Sequence, residues 1–174
     1  MMSVIALALV DSLAKYIFTK TLNSMDKVEI GGAPTWYLQE MDDEMCTFTH
    51  SKGGFDSIQI AKDKSTIKMT KKIDNIIDIV IYDNTKKITN QKEKKLVELW
   101  NTDPKLNLFV LKNINYSKVV YEDEIDTTFV RACIPNKTVM DYQTQRLQDI
   151  KKSLLNYKKD SAINEMEESL KETK

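Results

Sequence analysis

The sequence predicts an α+β protein in which a small, mainly antiparallel sheet packs against one long helix and two or three shorter helices. From Asp56 to Asp83, apolar residues recur every three or four positions, which is the period of a helix with one buried face. Residues 46–50 and 126–134 alternate between two faces and are rich in β-branched and aromatic residues, as strands are. Only four glycines and three prolines occur, which argues against a turn-dense all-β protein.

Length and charge indicate one ordinary globular domain. A chain of 174 residues is long enough to bury ~70% of its unfolded surface. Lys+Arg and Asp+Glu both number 26, so the formal net charge is +0. Domains that bind nucleic acid normally carry a basic excess, so we expect no nucleic-acid partner. We place the domain at residues 31–157.

An apolar segment over residues 1–24 precedes this domain. The apolar run from Val4 to Val10 is shorter than the ~20 residues that a membrane-spanning helix needs. No basic residue precedes Lys15, unlike the start of a secretory signal peptide. One broad helical face would carry Val4, Leu7, Val10, Ala14, Ile17 and Phe18. Three interpretations stay open: a core or docking helix, an atypical export segment, and an anchor that lies on a membrane surface.

The segment after this apolar stretch is predicted to contain two short strands and an acidic loop. A glycine-proline break over residues 31–34 precedes Thr35–Leu38, which we expect to start a strand. Four of the five residues at positions 40–44 are acidic, and clustered carboxylates can bind calcium. The spacing of a calcium-binding loop is absent, however, so we expect a solvated loop without metal. Cys46–His50 is predicted to be a strand that ends in a turn at Ser51–Gly54.

The long helix is predicted to begin with a capping box, formed by Asp56 and Gln59. Its buried face would carry Ile58, Ala61, Ser65, Met69, Ile73, Ile76, Ile77, Val80 and Ile81. Its lysines, at positions 62, 64, 68, 71 and 72, are interpreted as a solvated face. A second helix is expected at 89–101, with Trp100 as a core anchor, and Asp103-Pro104 would end it.

The last third of the chain is predicted to form a hairpin and a helix. Leu108–Tyr121 and Asp126–Ile134 read as two antiparallel strands around a charged turn at Glu122–Glu124. Asn136 is expected to cap a final helix that buries Val139, Met140, Leu147, Ile150 and Leu154. The charged residues 158–174 are either a helical extension or a disordered tail.

Residues that carry chemistry are scarce. Cys46 and Cys133 are the only cysteines, and without a CxxC spacing we favour two unpaired thiols, with Cys133 as a packing residue, over a disulfide. His50 is the only histidine, so a zinc site with three or four Cys and His ligands cannot form. We expect His50 to be a polar residue of a loop or strand end. No phosphate-binding loop and no HExxH motif occurs. The sequence therefore predicts no enzyme, cofactor or metal.

The order of the segments resembles the LPP-twenty family of membrane-associated bacterial lipoproteins. The likeness is carried by Gly32-Ala33-Pro34-Thr35-Trp36, the helix from Ile60 to Val80, the strand Thr128–Ile134 and the amphipathic helix after it, over residues 31–155. Family helices are usually alanine-rich, whereas this helix has only Ala61. The family's lipidated cysteine follows a signal sequence, and neither cysteine here lies in such a context.

The resemblance implies a non-enzymatic structural or assembly protein of the cell envelope, in the periplasm or at the outer membrane. Some relatives serve flagellar assembly or motility, and the family has no catalytic residues. We expect a protein partner or self-association, and leave membrane association open. The alternative is a small-ligand or effector-binding module in the soluble cytoplasm. Its ligand would lie between the sheet and the long helix, with Arg131, Tyr116 and Tyr121 as the polar groups.

Overall fold

The computed structural model describes residues 32–86 and 88–172, and its architecture is the predicted α+β fold. The elements follow in chain order: β1 (Glu44–Lys52), α1 (Ser57–Thr85), α2 (Gln91–Asn101), α3 (Leu106–Asn113), β2 (Asn115–Glu122), β3 (Thr127–Pro135) and α4 (Asn136–Glu172). The strands form one antiparallel sheet in the order β1-β3-β2. A 3₁₀ turn, Asp123–Ile125, joins β2 to β3, so the predicted hairpin is confirmed.

The two faces of the sheet have different covers. Side chains alternate along a strand, so Val130 and Ala132 of β3 point to one face and pack against Ala61 of α1. Phe129 and Cys133 point to the other face, where they cluster with Tyr37. Helix α1 therefore covers the first face, which we call the helix face. The segment 32–39 covers the second, which we call the loop face.

Helix α1 has 29 residues and continues beyond the nine-residue strands it covers. Its first half meets the sheet through small and hydroxyl side chains: Ser57 Oγ lies 2.5 Å from Thr128 Oγ1, and Thr49 Oγ1 donates to Ala61 O at 2.7 Å. Its second half is apolar and packs with the other helices. That main core contains Met45, Met69, Ile73, Ile76, Ile77, Val80, Ile81, Val97, Leu106, Val110, Ile134, Val139, Leu147 and Ile150.

The predicted capping box of α1 and the predicted cap of α4 are both wrong. Asp56 makes no capping hydrogen bond with its side chain, and Gln59 Nε2 donates instead to Asp63 one turn later, at 2.8 Å. The helix starts through a turn in which Ser57 Oγ donates to Gly54 O at 2.7 Å. Asn136 does not cap α4 either, since it is the first residue of that helix and its Nδ2 donates to Asp42 O. In α2, by contrast, Asn90 does cap, because its side chain accepts from two backbone N–H groups.

The strand predicted over Leu108–Tyr121 is wrong for its first half. Leu106–Asn113 forms α3, and the strand begins only at Asn115. Leu106 and Val110, one helical turn apart, are both buried in the main core. Phe109 stacks on Tyr142 of α4, with ring centroids 3.9 Å apart. Tertiary packing therefore overrides the β propensity of this apolar stretch.

The strand predicted to start at Thr35–Leu38 is also wrong. This segment forms turns, with Tyr37 N donating to Pro34 O and Gln39 N donating to Trp36 O. Leu38 has a positive φ of 69°, which no strand tolerates. The turns place the two aromatic side chains against the loop face instead of continuing the sheet.

The charged segment after Tyr157 is helical as far as Glu172, where the described residues end. The predicted apolar segment 1–24 lies outside the described residues. In the helical segment after Tyr157, Lys158 Nζ pairs with Glu93 of α2 at 3.0 Å. Of the two structures predicted for the charged end, the helical extension is the one found.

Candidate functional site at the sheet edges

Three lysines of α1 bind the outer edge of β1. Their ammonium groups donate to backbone carbonyl oxygens of alternate strand residues: Lys64 to His50 at 3.3 Å, Lys68 to Phe48 at 3.2 Å and Lys72 to Cys46 at 3.2 Å. We call Lys64, Lys68 and Lys72 the lysine row. Helical residues four apart repeat about every 6 Å, as do alternate strand residues, so one helix edge can follow one strand edge. The interpretation as a solvated face is therefore wrong for Lys72, which is buried, whereas Lys64, Lys68 and Lys71 are exposed as predicted.

Burial makes the lysine row unusual electrostatically. Lys72 is 8% exposed, and desolvation lowers its pKa from 10.5 to about 8, with nearby Glu40 opposing the shift. Burial also lowers the pKa of Lys68. Edge strands commonly use lysine to block pairing with another chain. Here the lysines come from the neighbouring helix and occupy the carbonyl groups that an added strand would need.

The register of the sheet fixes which backbone groups of β2 face outward. The His50 carbonyl accepts from Lys64 and so points away from β3. Its partner on β3, Phe129, therefore directs its backbone groups toward β2. Val120 lies opposite Phe129, so the backbone groups of this pair face each other and we infer that they exchange hydrogen bonds. The neighbouring residues, Val119 and Tyr121, therefore direct their N–H and C=O groups away from β3.

The outer edge of β2 is uncovered in the part of the chain that the structure describes. β2 is the last strand of the sheet, and most of its residues are exposed or half-buried. Exposed apolar side chains lie on α3, which precedes β2 directly: Leu108 is 53% and Leu111 is 57% exposed. A one-residue bulge at Ser117 interrupts the ladder. An unpaired strand edge can accept a further strand.

The two cysteines form a disulfide, so the prediction of unpaired thiols is wrong. Cys46 and Cys133 are directly opposite each other in the β1–β3 register, with Cα atoms 4.1 Å apart. Both side chains are almost fully buried on the loop face. The bridge joins residues 87 positions apart and fastens β1 to the central strand. The opposite edge strand, β2, has no such link among the described residues.

The polar residues predicted for the ligand-binding alternative do not converge. Tyr116 lies on the helix face, where its hydroxyl is 2.8 Å from Thr66 Oγ1 of α1. Tyr121 is at the far end of β2 and donates to Asp126 Oδ1 at 2.6 Å. Arg131 lies on the loop face, where its guanidinium is 5.9 Å from the centre of the Trp36 ring. The space between sheet and α1, where the ligand was expected, is filled by hydroxyl and methyl groups.

His50 is an exposed strand residue whose ring contacts the aromatic cluster of the loop face. Its Nδ1 is 3.3 Å from the Tyr37 hydroxyl, and its ring lies 6.1 Å from that of Phe129. Partial burial, together with the charges of Lys64, Lys52 and Lys68, lowers its pKa. Burial raises the pKa of Tyr37 to about 12, so this hydroxyl keeps its proton at neutral pH.

Other grouped polar residues supply little chemistry. Within residues 32–86 and 88–172, one set of three potential metal ligands lies within 4.8 Å, Glu44 with Cys46 and Cys133, and its sulfurs are committed to the disulfide. The acidic residues 40–43 are exposed. An open groove of about 410 Å³ separates the start of α2 from the end of α4, between Asn90 and Tyr157. Trp100 is half-buried against the main core, as the sequence predicts.

The comparisons with known proteins identify no relative. No protein family, no curated protein and no solved structure matches this chain. The resemblance to the LPP-twenty family therefore stays a prediction. Among the residues that the structure describes, no helix is long and apolar enough to cross a membrane.

Proposed function

We propose that this chain is a non-enzymatic structural or assembly protein of a bacterial envelope, which acts by protein–protein contact at the outer edge of β2. The observation that carries the proposal is the difference between the two sheet edges. The carbonyls of β1 are occupied by the lysine row, whereas Val119 and Tyr121 of β2 direct backbone groups outward. An open strand edge lets a partner add a strand, with backbone hydrogen bonds giving affinity.

The disulfide supports the compartment. Buried disulfides persist in oxidising surroundings such as the bacterial periplasm and are rare in the cytosol. The β1–β3 register places Cys46 and Cys133 directly opposite each other, so folding of the sheet itself brings the two thiols together. This favours the periplasm or outer membrane over the cytoplasmic alternative.

The absence of a convergent catalytic group among the described residues supports a non-enzymatic role. The single histidine, His50, contacts the Tyr37 hydroxyl and no serine or cysteine nucleophile. Both cysteines are in the disulfide and cannot act as thiolates. Contact between surfaces, rather than chemistry, is the function that this arrangement supports.

Site-specific photo-crosslinking tests the contact. A benzoylphenylalanine replaces Tyr121 on the β2 edge in one variant and His50 on the β1 edge in a matched control, both in the native host. We expect ultraviolet light to trap a specific protein adduct, with a partner or a second copy, from position 121 and not from position 50. Adducts from position 50 alone, or from neither position, would contradict the proposal.

Cell fractionation tests the compartment separately. The protein from each fraction is alkylated without reductant and its intact mass is measured. We expect an unalkylated, oxidised chain in the envelope fraction. A chain that is recovered from the cytoplasm with two alkylated cysteines would refute the envelope assignment and leave the contact proposal to the crosslinking result.

A further inference from the structure

Two cations on the loop face form no ion pair with a carboxylate of the described residues. Arg131 of β3 and Lys118 of β2 are directly opposite each other in the register. Like charges in opposite positions of a sheet repel each other. Arg131 is only 7% exposed, and no carboxylate of the described residues forms an ion pair with either side chain. A mostly buried charge without a partner is costly unless something neutralises it.

The local structure holds both cations in place. The Lys118 ammonium lies 5.4 Å and the Arg131 guanidinium 5.9 Å from the centre of the Trp36 ring. Arg131 Nε donates to Ser117 Oγ at 2.9 Å, which leaves the terminal nitrogens of the guanidinium for another acceptor. Ser117 reaches this position because the β2 bulge falls between Tyr116 and Lys118. Bulges often redirect a side chain next to a functional site.

We propose that Trp36, Ser117, Lys118 and Arg131 form a binding site for a small dianion, either a dicarboxylate or a phosphate. The planar guanidinium presents paired N–H groups that match carboxylate and phosphate oxygens, and the ammonium adds a second positive charge. Two cations that form no ion pair within the described residues fit a ligand with two negative charges. The indole ring, which both cations approach, forms one wall of the site.

This inference goes beyond the contact function proposed for the β2 edge. The anion would bind to side chains on the loop face, whereas a partner strand would bind to outward backbone groups of Val119 and Tyr121. Occupation of the site would also stabilise β2 against β3, because it removes the repulsion between the two cations that link these strands.

Titration of the isolated protein tests the site. Trp36 and Trp100 are the only tryptophans, so a Trp100→Phe background makes the indole signal specific for Trp36. Succinate and inorganic phosphate are titrated at constant ionic strength with sodium chloride as the blank. We expect saturable changes in Trp36 fluorescence and indole N–H shift with at least one of the two anions. The one that saturates identifies the class.

Two matched lysine variants separate a specific site from general charge. Lys118→Gln removes the ammonium over Trp36, while Lys62→Gln removes an ammonium that lies 5.2 Å from the Tyr116 ring on the helix face. We expect roughly tenfold weaker anion binding for Lys118→Gln and unchanged binding for Lys62→Gln. Absence of saturable binding in the parent protein, or equal binding by both variants, would overturn the proposal.

Discussion

The two edge strands of this sheet differ in how their outward backbone groups are bonded. β1 is joined to the central strand by a buried disulfide, and its outward carbonyls accept hydrogen bonds from the lysine row. β2 has a bulge, no disulfide, and outward backbone groups at Val119 and Tyr121. A helix packed on one face of a sheet can therefore block the edge strand as well. It does so when its lysines have the same spacing as the outward carbonyl groups of that strand. The difference also leaves one edge on which contact with another protein can occur.

Removal of the disulfide should have the largest effect on the β1 side. Its loop of 87 residues predicts a loss of about 4 kcal/mol in the free energy of unfolding when the bridge opens. We expect reductant to lower the urea midpoint of the wild type and to leave a Cys46→Ala/Cys133→Ala variant unchanged. A wild type that shows two titratable thiols and no sensitivity to reductant would contradict the bridge.

Two proline substitutions in β2 distinguish the N–H groups that face β3 from those that face outward. Val120→Pro removes an N–H that bonds to β3 and should cost about 3 kcal/mol in unfolding free energy. Val119→Pro removes an outward N–H and should cost only about 1 kcal/mol, mainly through altered packing against the helix face. Urea unfolding measures both values.

The same pair tests the contact function. Val119→Pro should fold and yet lose the crosslinked adduct formed from position 121, because the edge can no longer donate to an added strand. If Val119→Pro proves the more destabilising of the two, the assignment of outward and inward groups on β2 is wrong.

The lysine row should give the β1 side a dependence on alkaline pH. The folded-state pKa of Lys72 is about 8 and its unfolded value is 10.5, so between these the unfolded chain binds more protons. The free energy of unfolding therefore rises with pH in this window, by about 1.5 kcal/mol between about pH 8 and 9.5. Lys72→Met should lose this rise.

The control for this experiment is the exposed neighbour of Lys72 on the same helix. Lys71→Met should keep the rise, since Lys71 is solvent-exposed. Measurements stop below pH 10 because tyrosines then ionise in the unfolded chain, while burial holds the pKa of Tyr37 at about 12. An identical pH profile for the wild type and Lys72→Met would show that Lys72 stays ordinarily hydrated.

Periodicity predicted the elements whose information is local. The buried face of α1, the hairpin and the final helix follow from spacing alone. Most residues predicted to be buried on the two helices are buried, while Ile58, Met140 and Leu154 are half-buried. Two errors came from tertiary context. The apolar sequence of α3 favours a strand when it is taken alone. It forms a helix because Leu106 and Val110, one helical turn apart, are both buried in the core. The disulfide depends on a β1–β3 register set by segments 87 positions apart.

The sequence contained only part of the information needed to predict the lysine row and the site around Arg131. The spacing of the lysine row, four residues between neighbours, is plain in the sequence, but nothing local shows that a strand runs beside that side of the helix. Arg131 was identified as a polar candidate, whereas its pairing with Lys118 and Trp36 requires the strand register and the turn of segment 32–39. Such juxtapositions arise from folding and have no periodic signal.

The most direct test of the open β2 edge is amide hydrogen exchange of the isolated protein, measured residue by residue by NMR. We expect fast exchange at Val119 and Tyr121, whose N–H groups point to solvent, and slow exchange at Lys118 and Val120, whose N–H groups face β3. Equal and strong protection of all four amides would mean that the β2 edge is already covered, and would contradict the central claim.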